Sequence, residues 1–335
     1  MSLVPSSVAH IIETTGASVL VQEGAGLGAG FDDADYVASG ATIVPNAADA
    51  WGADVVVKVK EPQPSEFGFF RSDLKLFTYL HLAAEPDLTR ALVDGGVEAY
   101  AYETLEDRGG LPLLAPMSEI AGRASILHGA RLLGQGEGML IGGAAGVPPA
   151  KVVVIGMGIS GTMAARGARG LDAEVIGVDV DLDRLWHANM EGLTSATLRS
   201  ETQTVGEVVR NADIVIGAAL VPGARAPIVV LEEHVAAMKK GAVIVDLAID
   251  QGGCVATARP TSHSEPTYVV HDVIHYCVTN VPGQFPATAS RALSAATAPR
   301  VPFVIAGDPE HPRLKGALNI AGGEIVHPAV AAAFG

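Results

Sequence analysis

The sequence predicts an α/β fold built on parallel sheets with helices on both faces. Three observations carry that prediction. Short β-branched runs alternate with helix-length stretches rich in Ala, Leu and Met, the pattern of strand–helix–strand units. One such run ends in a glycine-rich turn that opens directly into a stretch of small residues. The composition, 49% hydrophobic and only 18% charged over 335 residues, fits a well-buried core in one large or two medium domains.

In chain order, strands are expected over 18–22, 55–59, 76–80, 152–155, 174–178, 214–217, 242–246 and 273–277, where Val, Ile, Leu and Tyr cluster. Helices are expected over 118–133, 162–169 and 232–239. No internal repeat or low-complexity linker interrupts the pattern.

Lys and Arg number 22 against 37 Asp and Glu, a formal charge of −15. Such a surface repels phosphate backbones, so nucleic-acid binding is not expected. Cys254 and Cys277 are too few for a disulfide framework or a cysteine zinc site and read as small core residues in a reducing compartment. His271 and His275 are four apart, but on an expected strand they share no helical face, so no metal is expected. No 18-residue apolar run and no charged-then-apolar leader is present. The expectation is a soluble cytoplasmic protein with no membrane partner.

Residues 151–161 read KVVVIGMGISG. A buried strand runs into Gly156, Gly158 and Gly161 in G-x-G-x-x-G spacing, and a helix of small residues follows. Gly156 makes the tight turn, Gly158 lets backbone approach a pyrophosphate, and Gly161 lets helix and strand pack closely. The helix N-terminus then offers unpaired N–H groups to the phosphates. A bare glycine triplet also makes ordinary turns. Here the next strand ends in Asp179, 18 residues past Gly161, where a carboxylate can hold the adenosine ribose hydroxyls and repel a 2′-phosphate. The segment therefore reads as a nicotinamide dinucleotide site favouring NAD over NADP, with Arg184 a few residues later.

Three further residues stand where apolar runs give out. His81 follows FTYL; it reads as a group facing a ligand crevice at a strand end, or as a half-buried histidine bonded to backbone. Asp250 precedes Gln251, Gly252 and Gly253, which is also ordinary turn chemistry. Lys60 ends VVVKVK and equally reads as a solvated surface lysine.

The segments VKVKEP (57–62), LFTYLHLAA (76–84), LLAPMSEIAGR (113–123), LVPGA (220–224), IDQGGC (249–254) and HPAV (327–330) resemble the alanine dehydrogenase family, in order and over nearly the whole chain. The transhydrogenase NAD-binding subunit and the saccharopine dehydrogenases are more distant relatives. The resemblance implies two doubly wound Rossmann-like domains with an active-site cleft between them. Residues 1–117 with 284–335 would form the substrate domain and 118–283 the NAD-binding domain. It implies NAD-dependent oxidative deamination of L-alanine to pyruvate and ammonia, reversible, with a small amino acid or 2-oxo acid as substrate. In those terms Lys60 binds the substrate carboxylate or carbonyl, His81 is the general acid/base, and Asp250 orients water or ammonia. Ser118, Ser200 and Asn280 match family positions that touch the cofactor, beside the glycine turn. A homo-oligomer, commonly a hexamer, is implied as well. A proton shuttle near neutral pH and a second polar group are what imine hydrolysis after hydride loss requires, and an imidazole suits the first.

The match departs in places. Family members carry, upstream of the region matching 2–5, a first strand and an arginine that pairs with the substrate carboxylate. The expectation that follows is that Met1 is not the natural start, that the upstream codons encode that strand and arginine, and that this form is a poor enzyme. The stretch ATASRA (287–292) replaces a basic residue followed by Thr-Ser-Thr-Tyr, and 307–312 looks like a trimmed surface helix. A diverged amino-acid or imine oxidoreductase on another small substrate, and a non-catalytic NAD(H)-binding protein, are the alternative readings.

Overall fold

The computed structural model describes residues 1–136, 138–220 and 225–334. Most of the LVPGA segment, 221–224, therefore lies outside the described residues. The chain divides into two compact units, Met1–Met117 with Phe285–Gly335, and Ser118–Gln284.

The first unit begins with a helix, Pro5–Thr15, whose Pro stands in its first turn and whose end is closed by Gly16 in the left-handed region. Strands β1 (Leu20–Gln22) and β2 (Thr42–Val44) pair in parallel only with each other. Strands β3 (Val55–Val57), β4 (Lys75–Thr78) and β5 (Glu98–Ala101) form a parallel run. Leu76, Phe77, Ala99, Tyr100 and Ala101 are fully buried there, as a central parallel strand requires.

In the second unit, β6 (Lys151–Ile155), β7 (Glu174–Asp179), β8 (Ala196–Arg199), β9 (Ile214–Gly217), β10 (Val243–Asp246), β11 (Thr267–Val270) and β12 (Val273–Tyr276) make one sheet. Its order is β11-β12-β10-β9-β6-β7-β8, parallel except for β11. The chain runs outward from β6 through β7 to β8, then restarts at β9 and runs the other way. The switch point lies between β6 and β9, where doubly wound sheets bind ligands outside the strand C-termini. Val152–Ile155 and all of β9 and β10 are buried, and Val153, Ile155, Val215 and Ile244 share one core cluster with Val205 and Val209 from the Thr202–Arg210 helix.

The chain then returns to the first unit. Strand β13 (Leu318–Ala321) runs antiparallel to β5, and β14 (Glu324–Ile325) antiparallel to β13, giving the order β14-β13-β5-β4-β3.

Several expected boundaries are corrected. The strand expected over 76–80 stops at Thr78, because the Thr78 hydroxyl donates to the Val59 and Lys60 carbonyls (3.0 and 3.1 Å) and the chain turns into the left-handed region at His81. The strand expected over 55–59 stops at Val57. The helix expected over 162–169 starts at Ile159, inside the glycine motif. The helix expected over 232–239 ends at Ala236, where 310-type turns close it. Strands β2, β5, β8, β11, β13 and β14 have no counterpart among the expected ones.

Candidate active site

The glycine turn of the second unit is built as its spacing requires. Gly156 has φ +95°, and a Cβ there would stand 2.7 Å from the backbone of Ala218 and Ala219. A Cβ on Gly161 would lie 1.8 Å from the Gly156 carbonyl oxygen. These two glycines are dictated by the protein's own packing. Gly158 differs: a Cβ there would meet only Arg184 Nη1, at 3.8 Å. Gly158 is the N-cap of the Ile159–Gly170 helix and supplies no side-chain cap. The open space over it faces first-turn N–H groups that lack intrahelical acceptors. That cradle fits a pyrophosphate.

Asp179, the last residue of β7, is 5% exposed. One carboxylate oxygen accepts the Met157 N–H (2.6 Å) and the other the Asp181 N–H (2.9 Å), with Arg184 Nη1 3.7 Å from the first. The carboxylate is thus fixed beside the turn. The Ser200 N–H donates to the Asp179 carbonyl at 2.9 Å. The Ser118 carbonyl accepts the Ser160 hydroxyl at 3.0 Å, on the first turn of the same helix. Gly122 lies against this contact, since a Cβ there would stand 2.2 Å from the Ser160 carbonyl oxygen.

Asp250 is exposed on a short 310 turn, Ile249–Gln251, just beyond β10. Its carboxylate accepts the Asn280 N–H at 3.3 and 3.4 Å. Asn280 itself has φ +51°. The structure therefore brings Asp250 and Asn280 together.

His81 and Lys60 belong to the first unit. His81 has φ +53° and ψ +35°, a conformation that costs a non-glycine residue roughly 1–2 kcal/mol. The Glu103 carboxylate offsets that cost by accepting the N–H groups of both Leu80 (3.1 Å) and His81. The His81 ring stacks on Tyr79 at 6.0 Å and 11°, and the Tyr79 hydroxyl donates to the Leu113 carbonyl. Burial raises the Tyr79 pKa far above its ordinary value, so the phenol stays neutral. Lys60 Nζ lies 2.7 Å from Glu61 Oε1 with the lysine side chain 73% exposed. Burial pushes the Glu61 carboxyl upward, but Lys60, a backbone N–H and the charge of His81 outweigh it and hold Glu61 below the usual range. The Thr78 hydroxyl donates to the Lys60 carbonyl, which ties the Lys60 segment to the end of β4, three residues before His81.

Sequence reasoning missed Glu103, Glu61, Thr78 and Asp246. Glu103 and Thr78 carry no local signal, because each acts on a segment distant in the chain. Asp246 stands at a strand end and Glu61 directly follows Lys60, and those positions beside candidate residues were the available clue.

Residues 1–121 match the model of the alanine dehydrogenase/PNT N-terminal domain, and residues 125–328 that of the C-terminal domain. Alanine dehydrogenase of Bacillus subtilis (strain 168) is 45% identical over 345 residues, covering 100% of this chain and 91% of that protein. Alanine dehydrogenase of Halomonas elongata is 44% identical over 356 residues, covering 100% and 93%. A solved L-alanine dehydrogenase superposes with a TM-score of 0.93 at 47% identity, covering 99% of this chain and 94% of that one. A transhydrogenase from Sinorhizobium meliloti gives 0.85 at 28%, covering 98% and 95%.

Proposed function

The chain belongs to the alanine dehydrogenase/PNT family, and from that premise we propose that it is an NAD-dependent dehydrogenase that converts L-alanine to pyruvate and ammonia, and runs in reverse as a reductive amination. The observation that carries this is the 45% identity to an alanine dehydrogenase across the whole chain, together with the cradle at Gly158 and the fixed carboxylate of Asp179.

Bound NAD supplies the acceptor for the hydride that leaves the substrate Cα. Every other demand of the reaction is for proton movement and orientation, and falls on side chains. Oxidation of the amine leaves an imine carbon, which water attacks before ammonia departs. His81 takes the proton from the substrate amine and later shuttles protons during hydrolysis. Its exposed ring, held on Tyr79, is free to do so. Asp250 orients the attacking water or, in reverse, ammonia. Lys60 binds the substrate carboxylate or carbonyl, and Glu61 competes with the substrate for its ammonium. Gly156, Gly158, Gly161 and Asp179 hold the dinucleotide, with Ser118, Ser200 and Asn280 beside it.

No helix among the described residues is long and apolar enough to cross a membrane. A cytoplasmic homo-oligomer, with the hexamer as its assembly, is part of the proposal; light scattering that returns the monomer mass would refute that part. Absorbance at 340 nm tests the reaction. NADH should accumulate with L-alanine and NAD, and be consumed with pyruvate, ammonium and NADH. Activity confined to another amino acid would favour a diverged oxidoreductase.

A further inference from the structure

The buried carboxylate at the end of β10 has no part in the reaction as derived above. Asp246 is 1% exposed. Its Oδ1 accepts the Ala248 N–H at 2.9 Å, and its Oδ2 accepts the Cys254 and Val255 N–H groups at 2.9 and 3.1 Å. The Cys254 thiol lies 3.7 Å from Oδ1. These amides sit on both limbs of the turn whose tip is Asp250. The first limb leaves β10 and the second returns through Gly252 and Gly253.

The surroundings make room for a carboxylate. A Cβ on Gly217 would stand 3.0 Å from Oδ1, and one on Gly253 would stand 2.9 Å from Oδ2. Both limbs are tied to each other as well, since the Gly253 N–H donates to the Ala248 carbonyl at 3.0 Å. Burying an ionisable group is costly unless its hydrogen bonds are made, and an apolar residue here would leave three inward-pointing N–H groups without acceptors. The titratable groups facing Asp246 are the thiols of Cys254 and Cys277, both pushed upward by burial and so neutral, with Asp250 on its own turn.

We infer that Asp246 is a positioning residue: by accepting amides on both limbs of the 248–255 turn, its carboxylate sets the place of Asp250. The kinetic consequence rests on the alanine reading given above; the structural consequence does not. Burial drives the Asp246 pKa up to about 6, against the opposing pull of its three N–H bonds. The closed turn therefore holds this proton more tightly than an opened, solvated turn would, so the turn loosens as pH rises through that value.

The test has two arms on the full chain. In amide exchange followed by mass spectrometry, normalised to intrinsic rates, the 247–256 segment of the unmodified protein should exchange roughly fivefold faster at about pH 7.5 than at about pH 5. The 151–161 segment should not change. Asp246→Asn should exchange fast in 247–256 at both pH values. In the second arm, Asp246→Asn should lower kcat with L-alanine and NAD roughly tenfold or more, with the NADH Kd within about threefold. Unchanged protection of 247–256, or loosening with kcat within about twofold, overturns the inference. If Asp246→Asn does not fold, the pH dependence of the unmodified chain decides. If the unmodified chain does not turn over alanine, the functional reading fails, and exchange alone decides the positioning role.

Discussion

The Gly156–Gly161 turn and the turn at His81 each follow the end of a parallel strand, and each presents chemistry beyond it. They are made by opposite means. The first is dictated locally: a side chain at Gly161 would collide with the Gly156 carbonyl five residues earlier in the chain, so the requirement is written in the motif itself. The second holds an ordinary residue in the left-handed region through a carboxylate 22 residues further along. Local dictation leaves a sequence signature. Remote dictation leaves a single acidic residue that looks like any other.

If that contrast is right, breaking the local turn should have the largest effect. Gly161→Ala places a methyl 1.8 Å from a carbonyl oxygen, and overpacking of this kind costs roughly 3 kcal/mol. NADH affinity by fluorescence titration should fall about 100-fold, or the protein should fail to accumulate. Near-native affinity would mean that the turn relaxes without cost.

Breaking the remote support should be milder. Glu103→Ala leaves the Leu80 and His81 N–H groups without their acceptor, at roughly 1–3 kcal/mol. We expect a fall of several degrees in Tm and about a tenfold loss of kcat with NADH affinity unchanged. Full activity would show that His81 holds its conformation unaided.

The Asp179 carboxylate sharpens the local half. NAD should bind at least about tenfold tighter than NADP, and Asp179→Ser should narrow that gap by removing repulsion of a 2′-phosphate. Equal affinities in the unmodified protein would contradict the role.

A further effect is on pH dependence. The Asp246 pKa rises from 3.8 to about 6 on folding. Below the lower value both states are protonated and the group is neutral to stability. Between the two, the folded state retains a proton that the unfolded state has lost, so stability falls as pH rises through this window. Above about 6 the loss levels off at roughly 3 kcal/mol. Urea unfolding at about pH 4 and 7 should show this difference diminished in Asp246→Asn, although replacing one acceptor oxygen by an amide NH2 acts on its absolute stability.

The same contrast explains how far the sequence could be read. The parallel sheet around β6, β9 and β10 was legible because those strands are uninterrupted Val and Ile runs, buried on both faces. Strand β5, EAYA, and strand β13, LNIA, were not: Ala, Glu and Asn have little intrinsic strand preference, and tertiary pairing imposes the conformation. His81, Lys60 and Asp250 were recognisable as strand-end residues, and their roles came from family resemblance. Of their supports, Thr78 and Glu103 were invisible because they act across the sheet, and Asp246 showed only its strand-end position because it acts through backbone amides.

In the proposed reaction His81 carries the proton chemistry of alanine oxidation, and the dinucleotide site is independent of it. The most direct measurement is kcat by NADH absorbance for the unmodified protein and for His81→Ala, with NADH Kd measured in parallel. We expect NADH formation from L-alanine, a loss of about 100-fold or more in kcat on removing the imidazole, and an NADH Kd within about threefold of the unmodified value. A variant that retains its turnover, or one that loses NADH binding and folded structure together, would contradict it.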